Sequence, residues 1–177
     1  DLGWTYEVLL SYQARIHDGI FSIHRAEHSS QKLTGAHYTP KELVESVLGQ
    51  ALMPILRSSD KEMGPSIQLC DPSCGSGLFL LEAAAMIAKE YSGGSLCEKK
   101  EQQILCDVMG TCIYGVDINP ISVDVCILSL WLASGMSLQT LGVLDAHIRQ
   151  GNSVLDLDLY REKFDTFPPQ DGFFSWS

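Results

Sequence analysis

The feature that most constrains the fold is a short strand that runs directly into a glycine-rich turn and then into a helix. Residues 67–70 are mostly apolar, residues 71–77 read DPSCGSG, and residues 78–90 are rich in Ala and Leu. Glycines let the backbone turn sharply and let a ligand approach closely, and the first turn of a helix leaves N–H groups unpaired. This segment therefore predicts a strand–turn–helix unit with a ligand site at the carboxyl end of the strand.

The elements that follow predict an α/β fold. A charged helix is expected at about residues 98–109, a second strand at 111–116 that ends at Asp117, a helix from Pro120, and a third strand around 146–149. Alternating strands and helices build a parallel sheet with covering helices. Three strands make an incomplete parallel sheet, and we expect its first strand to expose an edge through which the chain can associate.

The chain before this unit predicts a short amphipathic helix at residues 2–10 and then a hairpin. Alternating apolar residues at 12–16 and 21–23 flank an Asp-Gly pair at 18–19, which is a hairpin signal. Residues 24–28 read HRAEH, the pattern of inverted zinc peptidases, but that chemistry requires a helix and a third ligand. The segment follows a hairpin, so we expect no metal site.

A second helix is predicted to start in the sequence Thr39-Pro40-Lys41-Glu42. Thr39 is a suitable capping residue, Pro40 suits the first helical position, and Glu42 completes a capping box. Apolar residues then recur at helical spacing until Pro54, which is expected to bend or end the helix.

The two acids at strand ends restrict the type of ligand. The turn lacks the third glycine of a dinucleotide fingerprint, and the chain lacks the Gly-Lys-Ser/Thr of a phosphate-binding loop. Asp71 suits an ammonium group better than a pyrophosphate, and Asp117 can accept both hydroxyls of a ribose. These charges match S-adenosylmethionine, whose amino group Asp71 would hold.

Four motifs in register resemble those of a known family. They are residues 35–40 (GAHYTP), 71–80 (DPSCGSGLFL), 115–120 (GVDINP) and 151–153 (GNS). They look like the cofactor-binding motifs of adenine-N6 DNA methyltransferases from type I and type IIG restriction–modification systems. Residues 2–10 are similar to the segment that precedes the Tyr-Thr-Pro motif in type IIG-like proteins. The resemblance implies a Rossmann-like class I methyltransferase fold.

The resemblance also implies a set of residues that binds S-adenosylmethionine. The set comprises Tyr38, Thr39 and Pro40 at the methionine end, Asp71, Pro72, Ser73, Gly75 and Gly77 in the turn, Asp117 at the ribose, Ile118 beside the adenine, and Asn152 at the adenine amino group. The family often has Asp at the last of these positions, and an Asn side chain can also accept from an amino group.

The motifs divide the chain into three expected segments. Residues 1–34 form the helix and hairpin lead-in, residues 35–155 the cofactor-binding part of a methyltransferase domain, and residues 156–177 an irregular tail. The catalytic Asn-Pro-Pro-Tyr motif of the family does not occur, and residues 167–170 (FPPQ) lack its polar acceptor and its aromatic side chain. We therefore expect no catalytic residue here, and we expect this chain alone to be inactive.

The negative net charge of the chain argues against direct contacts with the phosphates of DNA. The chain has 12 basic and 22 acidic residues, a net charge of −10, whereas phosphate contacts need clustered Lys and Arg. We expect double-stranded DNA to be bound through regions outside this chain. Two alternatives stay open: a methyltransferase that acts on protein, RNA or a small molecule, and a truncated, non-catalytic chain that binds cofactor or a partner.

Cysteine usage and hydropathy favour a cytoplasmic protein with reduced thiols. No C-x-x-C pair or zinc-knuckle spacing occurs among the six cysteines. Cys70, Cys112 and Cys126 lie in apolar runs and are predicted to be buried. No secretory leader or membrane-spanning segment is expected.

Overall fold

The computed structural model describes residues 5, 6, 8, 12–18, 20–25, 39–58, 65–93 and 98–154. Residues 5, 6 and 8 are helical, and the rest of the predicted first helix lies outside the described residues. Strands β1 (Tyr12–His17) and β2 (Ile20–Arg25) form an antiparallel hairpin, with Asp18 at a φ of 51° in the turn. The predicted hairpin is confirmed. His24 lies on β2 and not on the helix that the zinc-peptidase pattern requires.

Helices α1 (Lys41–Ala51) and α2 (Met53–Ser58) follow. The prediction that Thr39 caps α1 is wrong, because Pro40 is the N-cap residue and no side chain caps the helix. Pro40 is extended, and its carbonyl oxygen accepts from the N–H groups of Leu43 and Val44. The helix thus begins one residue later than predicted. The break before Pro54 is confirmed.

The α/β unit contains three parallel strands in the order β3–β4–β5. In chain order its elements are β3 (Leu69–Asp71), α3 (Leu78–Ser92), α4 (Glu98–Thr111), β4 (Ile113–Asp117), α5 (Pro120–Ala133), α6 (Leu138–His147) and β5 (Ile148–Gln150). This arrangement confirms the Rossmann-like α/β fold with an incomplete parallel sheet. Among the described strands only β4 pairs with β3, so β3 is an edge strand. None of the helices α1–α6 has the length and apolar character that crossing a membrane requires.

Helix α6 was not predicted from the sequence. Its apolar residues do not follow a one-sided helical period, so the segment gave no amphipathic signal. Its start is marked by Ser137, whose side chain accepts from the N–H of Thr140. The ring of its last residue, His147, stacks on Tyr114. The Nδ1 atom of His147 lies 3.1 Å from the carbonyl oxygen of Ile113. The predicted third strand therefore begins at Ile148, because residues 146 and 147 belong to the helix.

The core lies between the sheet and its helices. Helix α1 contributes Val44 and Leu48, and α3 contributes Ala83 and Ala84, all of them buried in one cluster. An ion pair of 2.8 Å between Lys41 Nζ and Glu82 Oε1 joins the first turn of α1 to α3. These contacts hold the start of α1 close to the helix that follows the glycine-rich turn.

The cysteine predictions are partly wrong. Cys112 and Cys126 are buried, as expected, but Cys70 is exposed. Successive side chains of a strand point to opposite faces, and Leu69, the neighbour of Cys70, is the one that packs against the core. Cys97 lies outside the described residues. The cysteines of the described ranges are all free thiols.

We predict that Gly115→Ala lowers the free energy of unfolding by about 1–3 kcal/mol through overpacking. A Cβ atom on Gly115 would lie 2.9 Å from Leu80 Cδ1 and 3.1 Å from Cys74 Cβ, and both neighbours are buried. Urea denaturation measures the change. Gly142→Ala is the matched control, because it places a Cβ in open space on a helix and should stabilise by about 0.5–1 kcal/mol. Unchanged stability of Gly115→Ala would contradict the close approach of α3 to β4.

Candidate functional site

The turn between β3 and α3 is held by backbone geometry. Gly75 and Gly77 have φ angles of 53° and 88°, in the left-handed region that glycine adopts most readily. A Cβ on Gly77 would lie 2.7 Å from Cys126 Sγ, so a larger residue has no room there. The N–H of Cys74 donates to the carbonyl oxygen of Val116 at 2.9 Å, which attaches the turn to β4. Glycine is therefore required at position 77 by both backbone angle and space.

The carboxylate of Asp117 joins two loops at the carboxyl edge of the sheet. Its Oδ2 accepts from the N–H of Gly75 at 2.9 Å, and its Oδ1 accepts from the N–H of Asn119 at 2.8 Å. The carbonyl oxygen of Asp117 accepts from the N–H of Gly151 at 2.9 Å, which adds the loop after β5. A carboxylate has about four lone-pair sites, so roughly two remain for a ligand.

The loop after β5 is tied to both of its neighbours. Ser153 Oγ donates to the carbonyl oxygen of Pro72 at 2.6 Å, and Gln150 Nε2 lies 3.4 Å from the carbonyl oxygen of Ile118. Asn152 Oδ1 accepts from the N–H of Val154 at 3.1 Å. The ends of all three parallel strands thus form one connected edge.

A cleft of about 150 Å³ opens beside the glycine-rich turn. Its walls are Thr39, Asp71, Ser73, Cys74, Gly75, Ser76, Leu78 and Phe79. Helix α3 begins at this cleft without a side-chain cap and without an acidic residue in its first turn. Ligand pockets are commonly about 300–1,000 Å³, so this cleft fits one end of such a ligand.

The electrostatics of the cleft favour a cation. Burial raises the pKa of Asp71 above its ordinary value, the N–H of Ser73 at 3.0 Å from Oδ1 lowers it, and the nearby Asp117 carboxylate raises it. A cation beside Asp71 would favour the charged form of its carboxyl group.

Cys74 is a packing residue in this turn and has no reactive thiolate. A hydrogen bond with Cys126, followed by burial, raises the pKa of the Cys74 thiol strongly. The thiolate is the nucleophilic form of cysteine, so a thiol held protonated is inert. The cleft therefore offers binding groups and no nucleophile from Cys74.

Comparison with known proteins identifies the family. Residues 2–167 match the family described as N-6 DNA Methylase. The chain belongs to the N-6 DNA methylase family. Members of this family use S-adenosylmethionine as the methyl donor, which agrees with the cofactor expected from the sequence.

Two curated relatives are restriction–modification proteins. The chain is 27% identical over 180 residues to "Type II restriction enzyme and methyltransferase RM.Eco57I" of Escherichia coli, an alignment that covers 88% of this chain and 18% of the relative. It is 24% identical over 203 residues to "Putative type II restriction enzyme and methyltransferase RM.MjaORFECS2P" of Methanocaldococcus jannaschii, covering 87% of this chain and 16% of the relative. The chain thus spans less than one fifth of either relative.

The described residues among those predicted to bind the cofactor lie along the connected edge or at the start of a helix. Those that line the cleft are Thr39, Asp71, Ser73 and Gly75; those elsewhere along the edge are Pro72, Asp117, Ile118 and Asn152; and those that begin helices are Pro40 and Gly77. The cleft is also lined by Cys74, Ser76, Leu78 and Phe79, which were not predicted from the sequence. Their position within and directly after the glycine-rich turn was the available signal. Tyr38 lies outside the described residues.

We predict that Asp71→Asn stabilises the protein at neutral pH in the absence of ligand. Since the folded pKa of Asp71 is raised above its ordinary value of 3.8, the folded state binds the Asp71 proton more tightly than the unfolded chain does. The stability that Asp71 contributes therefore falls as pH rises from the unfolded pKa through the folded one. Urea denaturation at about pH 4 and about pH 8 measures the difference between variant and wild type, which should grow with pH.

Asp124→Asn, a change at an exposed carboxyl on α5, controls for the loss of one acid. A difference between Asp71→Asn and wild type that is the same at both pH values would contradict the burial argument.

Proposed function

We propose that this chain is the cofactor-binding part of a DNA methyltransferase that transfers a methyl group from S-adenosylmethionine to adenine N6 in a restriction–modification system. The observation that carries the proposal is the connected edge, where Asp117 fixes the turn that contains Gly75 beside the acidic cleft of Asp71. Membership of the N-6 DNA methylase family and the names of both relatives support it.

The cleft fits the methionine end of the cofactor. The carboxylate of Asp71 would hold the amino group, and the uncapped start of α3 offers N–H groups and a partial positive charge to the carboxylate. Thr39 and Ser73 line the same cleft, and we place Tyr38 and Pro40 at this end as well.

The other end of the edge fits the nucleoside. The unused lone pairs of the Asp117 carboxylate would accept the ribose hydroxyls, and Ile118, which is 52% exposed, would cover one face of the adenine. The side-chain amide of Asn152, in the loop after β5, would contact the adenine amino group. The cofactor supplies a methyl group on a sulfonium, and these residues orient it toward a base.

DNA is the proposed second substrate, with contacts outside this acidic edge. A methyltransferase must take its target base out of the duplex, and the groups that hold the flipped adenine belong to a motif absent from these 177 residues. We place the protein in the cytoplasm on the basis of that substrate. We propose the boundaries 1–34, 35–155 and 156–177 for the lead-in, the cofactor-binding part and the tail.

S-adenosylmethionine should bind the chain in isothermal titration calorimetry, and Asp117→Ala should weaken binding by at least about tenfold through loss of charge-assisted hydrogen bonds. Asp145→Ala, which removes an exposed carboxyl on α6, is the control and should bind like wild type. Circular dichroism of each variant checks that it remains folded. Equal affinity in folded Asp117→Ala would contradict the ribose assignment.

Transfer of a labelled methyl group to DNA should be undetectable with the 177-residue chain, because the groups that would hold the target base are absent from it. The same assay on a longer polypeptide that includes an Asn-Pro-Pro-Tyr motif should show methylation of DNA and no methylation of RNA or protein. Robust turnover by the 177-residue chain would contradict the proposal that the catalytic groups lie outside it.

A further inference from the structure

Tyr6, far from the site in sequence, contacts the loop that carries Asp117. Its hydroxyl accepts from Asn119 Nδ2 at 3.1 Å and lies 3.4 Å from Ser122 Oγ. Tyr6 and Asn119 are 113 residues apart along the chain, and both are half-buried. Tyr6 is thus in contact with the start of α5, directly beside the connected edge.

Three polar contacts, made by the N–H and the side chain of Asn119, together fix the position of this residue. Its N–H donates to Asp117 Oδ1 at 2.8 Å, its Oδ1 accepts from the N–H of Ile121 at 3.0 Å, and its Nδ2 donates to Tyr6. Because Oδ1 caps α5, the amide has one orientation, and in that orientation Nδ2 faces the Tyr6 hydroxyl. The hydrogen of that hydroxyl is then available to Ser122, which is buried.

We propose that Tyr6 is a positioning residue of the cofactor site: through Asn119 it holds the Asp117 carboxylate in the geometry that receives the ribose. The proposal rests on the proposed function and adds a residue outside the cofactor-binding set. Tyr6 itself touches Asn119 and Ser122, so its effect on a ligand is indirect.

The physical reason lies in the loop between β4 and α5. Loss of the Tyr6 hydroxyl leaves Asn119 Nδ2 without this acceptor in a half-buried setting, which is costly for a polar group. The amide is then freer to rotate, and rotation removes the cap from Ile121. Loss of the cap loosens the backbone at the start of α5, which includes the N–H of Asn119 that orients Asp117 Oδ1. The free lone pairs of the carboxylate then point less uniformly at a ribose.

The test is Tyr6→Phe, which removes one oxygen and keeps the ring. Calorimetry should show S-adenosylhomocysteine binding about three- to tenfold more weakly than in wild type. The affinity for the analogue with a 2′-deoxyribose should fall less, because this analogue already lacks one of the ribose hydroxyls that Asp117 would bind. The ratio of the two affinities should therefore shrink in Tyr6→Phe. A general loss of folding would weaken both ligands equally and leave the ratio unchanged.

A double-mutant cycle locates the effect at Asn119. Asn119→Ser keeps a capping oxygen for α5 and removes the donor to Tyr6. If Tyr6 acts through Asn119, adding Tyr6→Phe to Asn119→Ser causes no further loss of affinity. Tyr91→Phe, which removes a hydroxyl from a half-buried tyrosine at the far end of α3, is the matched control and should bind like wild type.

The outcomes separate this proposal from the one on which it rests. Absence of cofactor binding by the wild-type chain would overturn both. Wild-type binding together with an unchanged affinity ratio in Tyr6→Phe, or additive losses in the cycle, would overturn the role of Tyr6 and leave the proposed function standing.

Discussion

The Asp117 carboxylate is the interaction on which the edge of the sheet depends. It lies at the end of the central strand β4 and accepts from two backbone N–H groups. The N–H of Gly75 belongs to the loop after β3, and the N–H of Asn119 belongs to the loop after β4. Hydrogen bonds to charged groups contribute about 1.5–3 kcal/mol each, more than neutral ones do. One side chain therefore fixes the glycine-rich turn and the start of α5 relative to each other before any ligand arrives.

This arrangement makes the site pre-organised and electrostatically unfavourable when empty. Asp71 is half-buried, and both this burial and the nearby carboxylate of Asp117 raise the pKa of Asp71. Hydrogen bonds from Ser73, Gly75 and Asn119 offset part of that cost. A residue selected for stability alone would be neutral at position 71. The ammonium group that we propose for the ligand would explain an acid at this position.

Local sequence signals predicted the α/β unit well, because each strand end and helix start carries its own chemistry. Residues 71–77 and the sequence Asp117–Pro120 specify turns and caps through contacts within a few residues. Helix α6 was missed because its burial comes from packing against α4 and α5 and follows no one-sided period. The capping role of Thr39 failed for a related reason. Pro40, extended and without an N–H, takes the cap position, and Thr39 is left to line the cleft.

Contacts between distant segments are what the sequence does not reveal. The hydrogen bond from Asn119 to Tyr6 spans 113 residues, and no periodicity or spacing connects the two positions. The hydrogen bond offsets only part of the conformational entropy that closing so long a loop costs. A ligand that binds only the folded state adds to that stabilisation. Cofactor bound at Asp117 would therefore strengthen the docking of the segment that contains Tyr6, and docking would strengthen cofactor binding by the same factor.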